Sequence, residues 1–209
     1  MDAIYTVLLA LGAFLLGACP FSVILGRWVL KKNIREYGDG NPGAANVFRA
    51  GGHKLGYFAV FMDVVKGVPF VLLAHTVFDF SYLALIPIGL CAILGHAFSP
   101  FLKWHGGKAI AVTFGVIVSL PQHQAFWSFT VLAILGALLL DNDSWAMVLA
   151  AGGSLAFLAI KGIETWELLL MLGVLAIFLV KNFRDLRSLP GFRGRLVRWL
   201  QSASRSTTT

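Results

Sequence analysis

The chain has 209 residues, of which 58% are hydrophobic and only 13% are charged, and its formal net charge is +7. Soluble domains carry about 25% charged residues, so this composition excludes an ordinary soluble domain and indicates a protein embedded in lipid. A helix that crosses a bilayer needs about 20 residues, so the chain has room for six or seven of them. Both cysteines lie in apolar runs, which excludes a disulfide scaffold.

Seven apolar runs follow one another along the chain and predict an all-α, polytopic membrane protein. Some runs are shorter than a full span, so the sequence allows seven membrane helices or six. The runs cover residues 4–25, 57–78, 82–98, 109–120, 125–140, 145–160 and 168–180. We assign residues 1–190 to a single transmembrane domain and residues 191–209, which are basic and end in Ser and Thr, to a tail.

The distribution of basic residues predicts the orientation of the chain in the membrane. Lys and Arg accumulate at the cytoplasmic ends of membrane helices. Fifteen of the 17 basic residues lie between the first two runs, between the third and fourth, or after the seventh. Seven spans with the N-terminus outside would place all three regions in the cytoplasm. Because these charges flank apolar helices, the expected partners are anionic lipid headgroups and not nucleic acid.

The first basic region contains a glycine-rich loop, residues 38–52, with five glycines, two asparagines and one arginine. Glycines allow backbone N–H groups to converge on an anion, and an arginine can bind a phosphate in a bidentate manner. The loop is therefore a candidate phosphate site, the alternative being a plain turn between two helices. The candidate ligands in this loop are Gly40, Asn41, Gly43, Asn46 and Arg49.

A second loop, residues 95–109, carries the sequence Gly106-Gly107-Lys108 at the start of the fourth apolar run. The N-terminus of a helix attracts anions, and Lys108 adds a full positive charge there. Alanine follows this lysine, so the loop does not match a Walker motif and ATP hydrolysis is not indicated. His96 is either a general base or a hydrogen-bonding loop residue. A zinc site formed with His105 would lack a third ligand.

Two ionisable residues lie within the second apolar run. Asp63 and Lys66 are three residues apart and therefore share one face of a helix. Ionisable groups inside a membrane either pair with one another or face a functional cavity. The sequence leaves both interpretations open: a structural ion pair, or a lysine directed at a bound anion.

Acidic residues also occur near the ends of the later runs. Asp141 and Asp143 could form a catalytic carboxylate pair, but a simpler interpretation is that Asp143 or Ser144 caps the helix that follows. Glu164 and Glu167 belong to the opposite end of the membrane domain. We expect both of these glutamates to be solvated.

Three stretches of the chain, taken together, resemble the PlsY family, the bacterial membrane acyltransferases that transfer an acyl chain from acyl phosphate to glycerol 3-phosphate. Residues 40–49 are similar to the family's GSGNxGAxNxxR loop, and residues 63–67 are similar to its D-x-x-K-G segment. Residues 95–108 are similar to its GHxxPxFxxFxGGK loop. The order and separation of the three stretches make the resemblance specific.

The resemblance implies a seven-helix fold in a bacterial cell membrane, with the site at the cytoplasmic surface and with lysophosphatidic acid and phosphate as products. It implies catalytic roles for Lys108, Arg49 and His96. The substrate-binding residues would be Gly40, Asn41, Gly43, Asn46, Lys66, Gly106 and Gly107. The partners would be acyl phosphate, glycerol 3-phosphate and membrane lipids, and neither a metal nor another cofactor is expected.

The chain departs from the family pattern at several positions. Asp39 stands where the family loop has the serine of GSGN, and Ala109 stands where it has a glycine after the loop lysine. After the fifth run the family has two serines three residues apart, whereas this chain has Ser144 and then Met147. After the last run, the family's Arg-His and Asn correspond to Lys181-Asn182 and Asp185. We expect Asp39 to pair with a lysine or arginine and to order the first loop, because an unpaired carboxylate would repel substrate phosphates. These departures leave open a divergent paralogue with another acceptor, or a non-catalytic or transport role.

Overall fold

The computed structural model describes residues 2–192 and 194, so most of the predicted tail, 191–209, lies outside the described residues. The regular secondary structure of these residues is helical, apart from an isolated bridge between Leu140 and Phe192. Its α-helices are α1 (Asp2–Ala18), α2 (Phe21–Trp28), α3 (Ala44–Arg49), α4 (His53–Val65), α5 (Pro69–Thr76), α6 (Tyr82–Ala97), α7 (Ile110–Val118), α8 (Gln124–Leu139), α9 (Asp143–Ile160) and α10 (Thr165–Lys181). Short 3₁₀ helices cover Ile34–Glu36, Pro100–Leu102 and Asp185–Arg187.

The first two apolar runs each form two helices. α1 and α2 are separated at residues 19–20, and α4 and α5 at residues 66–68. Pro20 and Pro69 lack the N–H group that would continue a helical hydrogen-bond ladder, so a helix ends before each proline. The interpretation of each run as one helix is therefore corrected.

The five later runs agree with α6 to α10 to within three residues at either end. Four helical segments of the described chain are long and apolar enough to cross a bilayer: Ala3–Trp28, His53–Thr76, Tyr82–Leu102 and Asp143–Ile160. Helices α8 and α10 are shorter, with 16 and 17 residues. The protein is accordingly a multi-pass, all-helical membrane protein.

Large apolar side chains cover much of the outer surface of the helical bundle. Examples on α1, α4 and α8 are Leu8, Leu15, Phe61, Trp127 and Leu138, all of which are exposed. A protein surrounded by water rarely exposes so much contiguous apolar surface. These side chains are suited to contact with lipid.

Contacts between loops are grouped at two ends of the bundle. At one end, the Lys108 ammonium bridges the carboxylates of Asp39 and Asp185. At the other end, the side chain of Gln122 donates a hydrogen bond to Glu164. The first loop, the second loop and the segment after α10 therefore share one end, as the distribution of basic residues predicts.

The buried position of Glu167 differs from the expectation that it is solvated. One carboxylate oxygen of Glu167 accepts a hydrogen bond from the backbone N–H of Ala125, in the first turn of α8. The first N–H groups of a helix have no partner within the helix, so Glu167 satisfies one of them from α10. Glu164 is exposed, as expected.

The N-terminus of α9 is capped by Asn142. Its Oδ1 accepts hydrogen bonds from the backbone N–H groups of Ser144 and Trp145. Asp143 is the first helical residue. The prediction that Asp143 or Ser144 provides the cap is wrong by one or two residues, because asparagine serves this role as well as aspartate does.

Helices α1 and α6 pack closely because glycines lie at their contact. A Cβ atom at Gly17 would meet the backbone of Ala92, and a Cβ atom at Gly95 would meet the backbone of Phe14. This approach holds the end of α6, with His96, beside the break between α1 and α2.

We expect Gly95→Ala to lower the free energy of unfolding by about 1–3 kcal/mol, because the added methyl group would collide with the backbone of α1. Gly152→Ala is the matched control, since no atom lies within 4 Å of its Cβ position in α9. The measurement is the melting temperature of each purified variant in detergent. A Gly95→Ala variant that melts with the parent protein would contradict the close packing of α1 and α6.

Candidate active site

The first glycine-rich loop is ordered by hydrogen bonds to Asp39. Its Oδ1 accepts hydrogen bonds from the backbone N–H of Asn41 at 3.1 Å and from Asn46 Nδ2 at 3.0 Å. Asn46 is buried, donates a second hydrogen bond to Asn41 O at 2.8 Å, and accepts one from Arg49 Nη1 at 2.7 Å. Asn46 thus connects the loop to α3 and orients Arg49.

Lys108 joins three segments that are far apart in the sequence. Its Nζ lies 3.0 Å from Asp39 Oδ2 and 3.0 Å from Asp185 Oδ2. Arg49 Nη1 lies 3.8 Å from the other oxygen of Asp39. The expectation that Asp39 pairs with a lysine or arginine is confirmed by these contacts. That Asp39 also orders the first loop stays a prediction, which its hydrogen bonds to Asn41 and Asn46 support.

The opposite charges of Asp39 and Lys108 stabilise each other. Partial burial raises the pKa of the Asp39 carboxyl, but hydrogen bonds from Lys108, Asn41 and Asn46 outweigh this effect and hold the pKa below its ordinary value. Burial lowers the pKa of the Lys108 ammonium, but Asp39 and Asp185 outweigh this effect and raise the pKa above its ordinary value. Both groups are therefore charged at neutral pH.

Asp185 is a site residue that the sequence analysis did not assign to binding or catalysis. Besides Lys108, its Oδ2 accepts a hydrogen bond from Ser144 Oγ at 2.8 Å. Its backbone carbonyl accepts a hydrogen bond from Asn142 Nδ2 at 3.0 Å. The sequence signal that could have identified Asp185 as a site residue was its position, which corresponds to the last polar residue of the family pattern.

A polar cavity of about 450 Å³ opens on one side of Lys108. All three of the basic regions contribute to its wall. The lining residues are Arg35, Asp39, Gly40, Asn41, Pro42, His105, Gly106, Lys108 and residues 180–185. We call it the polar cavity.

A second cavity of about 270 Å³ shares Asp39, Asn41 and Lys108 with the polar cavity. Its wall also contains Arg49 and His96. Asp63 and Asp143 also line it. The rest of the wall is largely apolar and includes Ala44, Val60, Val64, Ala109, Ile110, Ala111 and Phe114. We call it the apolar-walled cavity, and Lys108 stands between the two.

The residues predicted to form the site divide into two groups. Those that line one or both cavities are Lys108, Arg49, His96, Gly40, Asn41, Gly43 and Gly106. Asn46, Gly107 and Lys66 are absent from both linings. Gly107 donates its N–H to the backbone carbonyl of His96 at 3.0 Å, so it fixes the shape of the second loop.

The Asp63–Lys66 pair lies where the first two runs are broken. Lys66 Nζ is 2.8 Å from Asp63 Oδ1 and donates to the backbone carbonyl of Cys19 at 3.0 Å. Ser22 Oγ donates to Asp63 Oδ2 at 3.1 Å. His96 Nδ1 lies 3.7 Å from Asp63 Oδ1. Both charged side chains are buried, and these contacts favour the structural ion pair of the two interpretations.

Ala109, which replaces a family glycine, has φ +65° and ψ +12° in the left-handed region. That conformation costs an L-residue roughly 1–2 kcal/mol. Ala109 is the residue before α7 and directly follows Lys108. The substitution therefore places local strain beside the central lysine of the site.

Comparison with known proteins places the chain in a family. The family model described as glycerol-3-phosphate acyltransferase matches residues 7–189. The chain belongs to the glycerol-3-phosphate acyltransferase family.

Curated relatives with this name occur in several bacteria. The relative from Listeria welshimeri is 32% identical over 85% of this chain and 89% of its own length. The relative from Lactococcus lactis is 34% identical over 85% of this chain and 86% of its own length. The relative from Staphylococcus carnosus is 41% identical, but this match spans only 59% of that protein.

Two solved structures share the fold. Both are of PlsY, described as an integral membrane glycerol 3-phosphate acyltransferase. The glycerol 3-phosphate form has a TM-score of 0.77 and 28% identity, and the match covers 88% of this chain and 90% of that one. The lysophosphatidic acid form has a TM-score of 0.72, and the match covers 95% of this chain and 93% of that one.

We expect Asp39→Ala to loosen the first loop, because the variant loses the acceptor for Asn41 and Asn46 together with the ion pair to Lys108. The measurement is hydrogen–deuterium exchange of residues 38–49 in detergent, which should become faster. Asp185→Ala is the matched control: it also removes a carboxylate from Lys108 but leaves the hydrogen bonds within the loop intact. Equal exchange in Asp39→Ala and the parent protein would show that Asp39 does not order the loop.

Proposed function

We propose that this chain transfers a fatty acyl group from an acyl phosphate to glycerol 3-phosphate, which yields lysophosphatidic acid and phosphate for phospholipid synthesis. The observation that carries the proposal is the position of Lys108 between a polar cavity and an apolar-walled cavity. The reaction joins a polar acceptor to a long apolar chain, so it needs both environments at one cationic centre. The family and the forms of the solved PlsY structures support the same substrate class.

The apolar-walled cavity suits the acyl donor. Val60, Val64 and Phe114 can contact the first carbons of the acyl chain, while Arg49 and Lys108 face the phosphate end. Arginine and lysine at a transferring or departing phosphate stabilise the negative charge that develops there. We therefore assign the donor to this cavity and the acceptor to the polar cavity.

The transfer step needs no group beyond the two substrates and the chain. The acceptor hydroxyl oxygen attacks the acyl carbonyl carbon, and the bond between that carbon and the phosphate oxygen breaks. The hydroxyl proton ends on the released phosphate, and His96, which lines the donor cavity, is the proposed base that relays it.

The proposed location is the cell membrane of a bacterium, with seven crossings, the N-terminus outside and the site in the cytoplasm. The positive-inside rule supports this side for the end that contains Lys108, Arg49 and the segment after α10. The two groups of loop contacts support seven crossings, since α1–α2, α4–α5, α6, α7, α8, α9 and α10 run between them.

We expect Lys108→Ala and Arg49→Ala each to lower turnover about a hundredfold, since loss of one hydrogen-bonded charge at a transition state costs about 3 kcal/mol. The assay is phosphate release from palmitoyl phosphate, with and without glycerol 3-phosphate. Lys54→Ala is the matched control, because Lys54 is exposed and lines neither cavity. Monodispersity in detergent checks that each variant is folded.

Two results would reject the proposed function. One is parent protein that releases no phosphate when glycerol 3-phosphate is added, which would favour another acceptor or a transport role. The other is full activity in both Lys108→Ala and Arg49→Ala, which would show that the anion site takes no part in the reaction.

The orientation is tested by cysteine labelling after Cys19 and Cys91 have been replaced. Ser188→Cys lies after α10, and Ser81→Cys precedes α6 at the opposite end; both positions are exposed. We expect a membrane-impermeant maleimide to label the first variant only in inverted vesicles and the second only in right-side-out vesicles. Labelling of Ser188→Cys from the outside alone would reverse the orientation.

A further inference from the structure

The side chain of Asn142 connects the N-terminus of α9 to the segment after α10. Its Oδ1 accepts hydrogen bonds from the backbone N–H groups of Ser144 and Trp145, at 2.9 and 3.3 Å. Its Nδ2 donates a hydrogen bond to the backbone carbonyl of Asp185 at 3.0 Å. Because an amide group offers both an acceptor and a donor, Asn142 caps α9 and holds Asp185 at the same time.

The turn between α8 and α9 holds the same segment at further points. The backbone N–H of Asp141 donates to the carbonyl of Gly191 at 3.0 Å, and Asp141 Oδ1 accepts from the N–H of Gly191 at 2.9 Å. Trp145 Nε1 donates to the carbonyl of Ser188 at 2.8 Å. These contacts attach residues 185–191 to the end of a membrane helix.

The position of Asp185 matters because its carboxylate is one of the two that hold Lys108. Asp185 Oδ2 lies 3.0 Å from Lys108 Nζ and accepts a hydrogen bond from Ser144 Oγ at 2.8 Å. The side chain of Asp185 is 43% exposed, so its place beside Lys108 depends on where its backbone is held. Asp39 Oδ2 lies 3.0 Å from the same ammonium on the other side. A displaced Asp185 would leave Lys108 to Asp39 and draw the ammonium towards the first loop.

We infer that Asn142 is a positioning residue for acyl transfer: by holding the backbone of Asp185, it fixes where the ammonium of Lys108 stands between the two cavities. Asn142 lines neither cavity, so it acts on the reaction through Asp185. The inference rests on the proposed function, in which Lys108 stabilises the charge of the departing phosphate. Such stabilisation requires preorganised groups, and a small displacement of one of them lowers turnover.

The test is Asn142→Ser, because serine caps a helix about as well as asparagine does but lacks the amide donor for Asp185. We expect the kcat of phosphate release to fall about threefold to tenfold, the usual effect of losing one hydrogen bond. The KM values for palmitoyl phosphate and glycerol 3-phosphate should stay within about twofold of the parent values, the limit set by leaving binding unchanged. The melting temperature should match that of the parent protein, since the cap is kept.

Asp141→Asn is the matched control. Its Oδ1 still accepts from the N–H of Gly191, and Asp141 lines neither cavity, so kcat, both KM values and the melting temperature should equal those of the parent protein. Hydrogen–deuterium exchange of residues 183–189 supplies a readout that does not depend on turnover. It should be faster in Asn142→Ser than in Asp141→Asn, and equal exchange in the two variants would overturn the inference.

An Asp185→Ala background separates positioning from a purely structural role. Because Asn142 acts through the Asp185 carboxylate, Asn142→Ser should cause no further fall in kcat once that carboxylate is removed. A fall by the same factor in both backgrounds would show that Asn142 supports the site by another route, such as the stability of α9. That result would overturn the inference.

The remaining outcomes are distinct. An active parent protein whose kcat is unchanged by Asn142→Ser overturns the inference but not the proposed function. A raised KM with an unchanged kcat would make Asn142 a determinant of binding, and would also overturn the inference. A parent protein without activity would reject the proposed function itself, and faster exchange in Asn142→Ser would then show only that Asn142 holds the segment of Asp185.

Discussion

The site depends on the placement of one ammonium group between two carboxylates. Asp39 belongs to the loop before α3, Lys108 to the loop before α7, and Asp185 to the segment after α10. The ion pairs link these loops at one end of the bundle, together with an apolar cluster in which Leu102 of the second loop packs against a core that includes Val47 and Ala50 of the first. Because the cavities open on either side of this contact, the same interaction determines the shape of both.

A second polar network stabilises the helix breaks in the first two apolar runs. The breaks at residues 19–20 and 66–68 leave backbone carbonyl groups without helical partners, and Lys66 donates to one of them, that of Cys19. Asp63 forms an ion pair with Lys66 and accepts a hydrogen bond from Ser22, so the two buried charges at the breaks neutralise each other. Burying an unpaired charge in the membrane would be costly. The network therefore stabilises both helix breaks, and it lies beside His96 in the wall of the apolar-walled cavity.

The sequence predicted most of the architecture because the signals there are local. Apolar runs identify α6 to α10, and glycine and basic residues identify the two loops at the site. The role of Lys66 could not be predicted, because it donates to Cys19, 47 residues away in the sequence. The hydrogen bonds of Asn46 are to Asp39, Asn41 and Arg49 of its own loop, and they depend on the backbone conformation of that loop. Asp185 was missed for the same reason as Lys66: its partner Lys108 is 77 residues away in the sequence and separated from it by four helices. Glu167 was misjudged because its position near a helix end indicated solvent, whereas its side chain is buried and accepts a hydrogen bond from the first turn of α8.

The two carboxylates also determine how the site responds to pH. The pKa of Asp39 is below its ordinary value of 3.8 when the protein is folded, so its ion pair stabilises the loop above that value and is lost as the pH falls through the lowered pKa. The pKa of Lys108 is raised above 10.5, so its contribution is present below that value and is lost as the pH rises through the raised pKa. The Asp39–Lys108 pair thus keeps its charges throughout the neutral range. A phosphate monoester, in contrast, gains its second negative charge near pH 6. Across the neutral range, a phosphate monoester placed beside this pair would change its charge, whereas the pair itself would not.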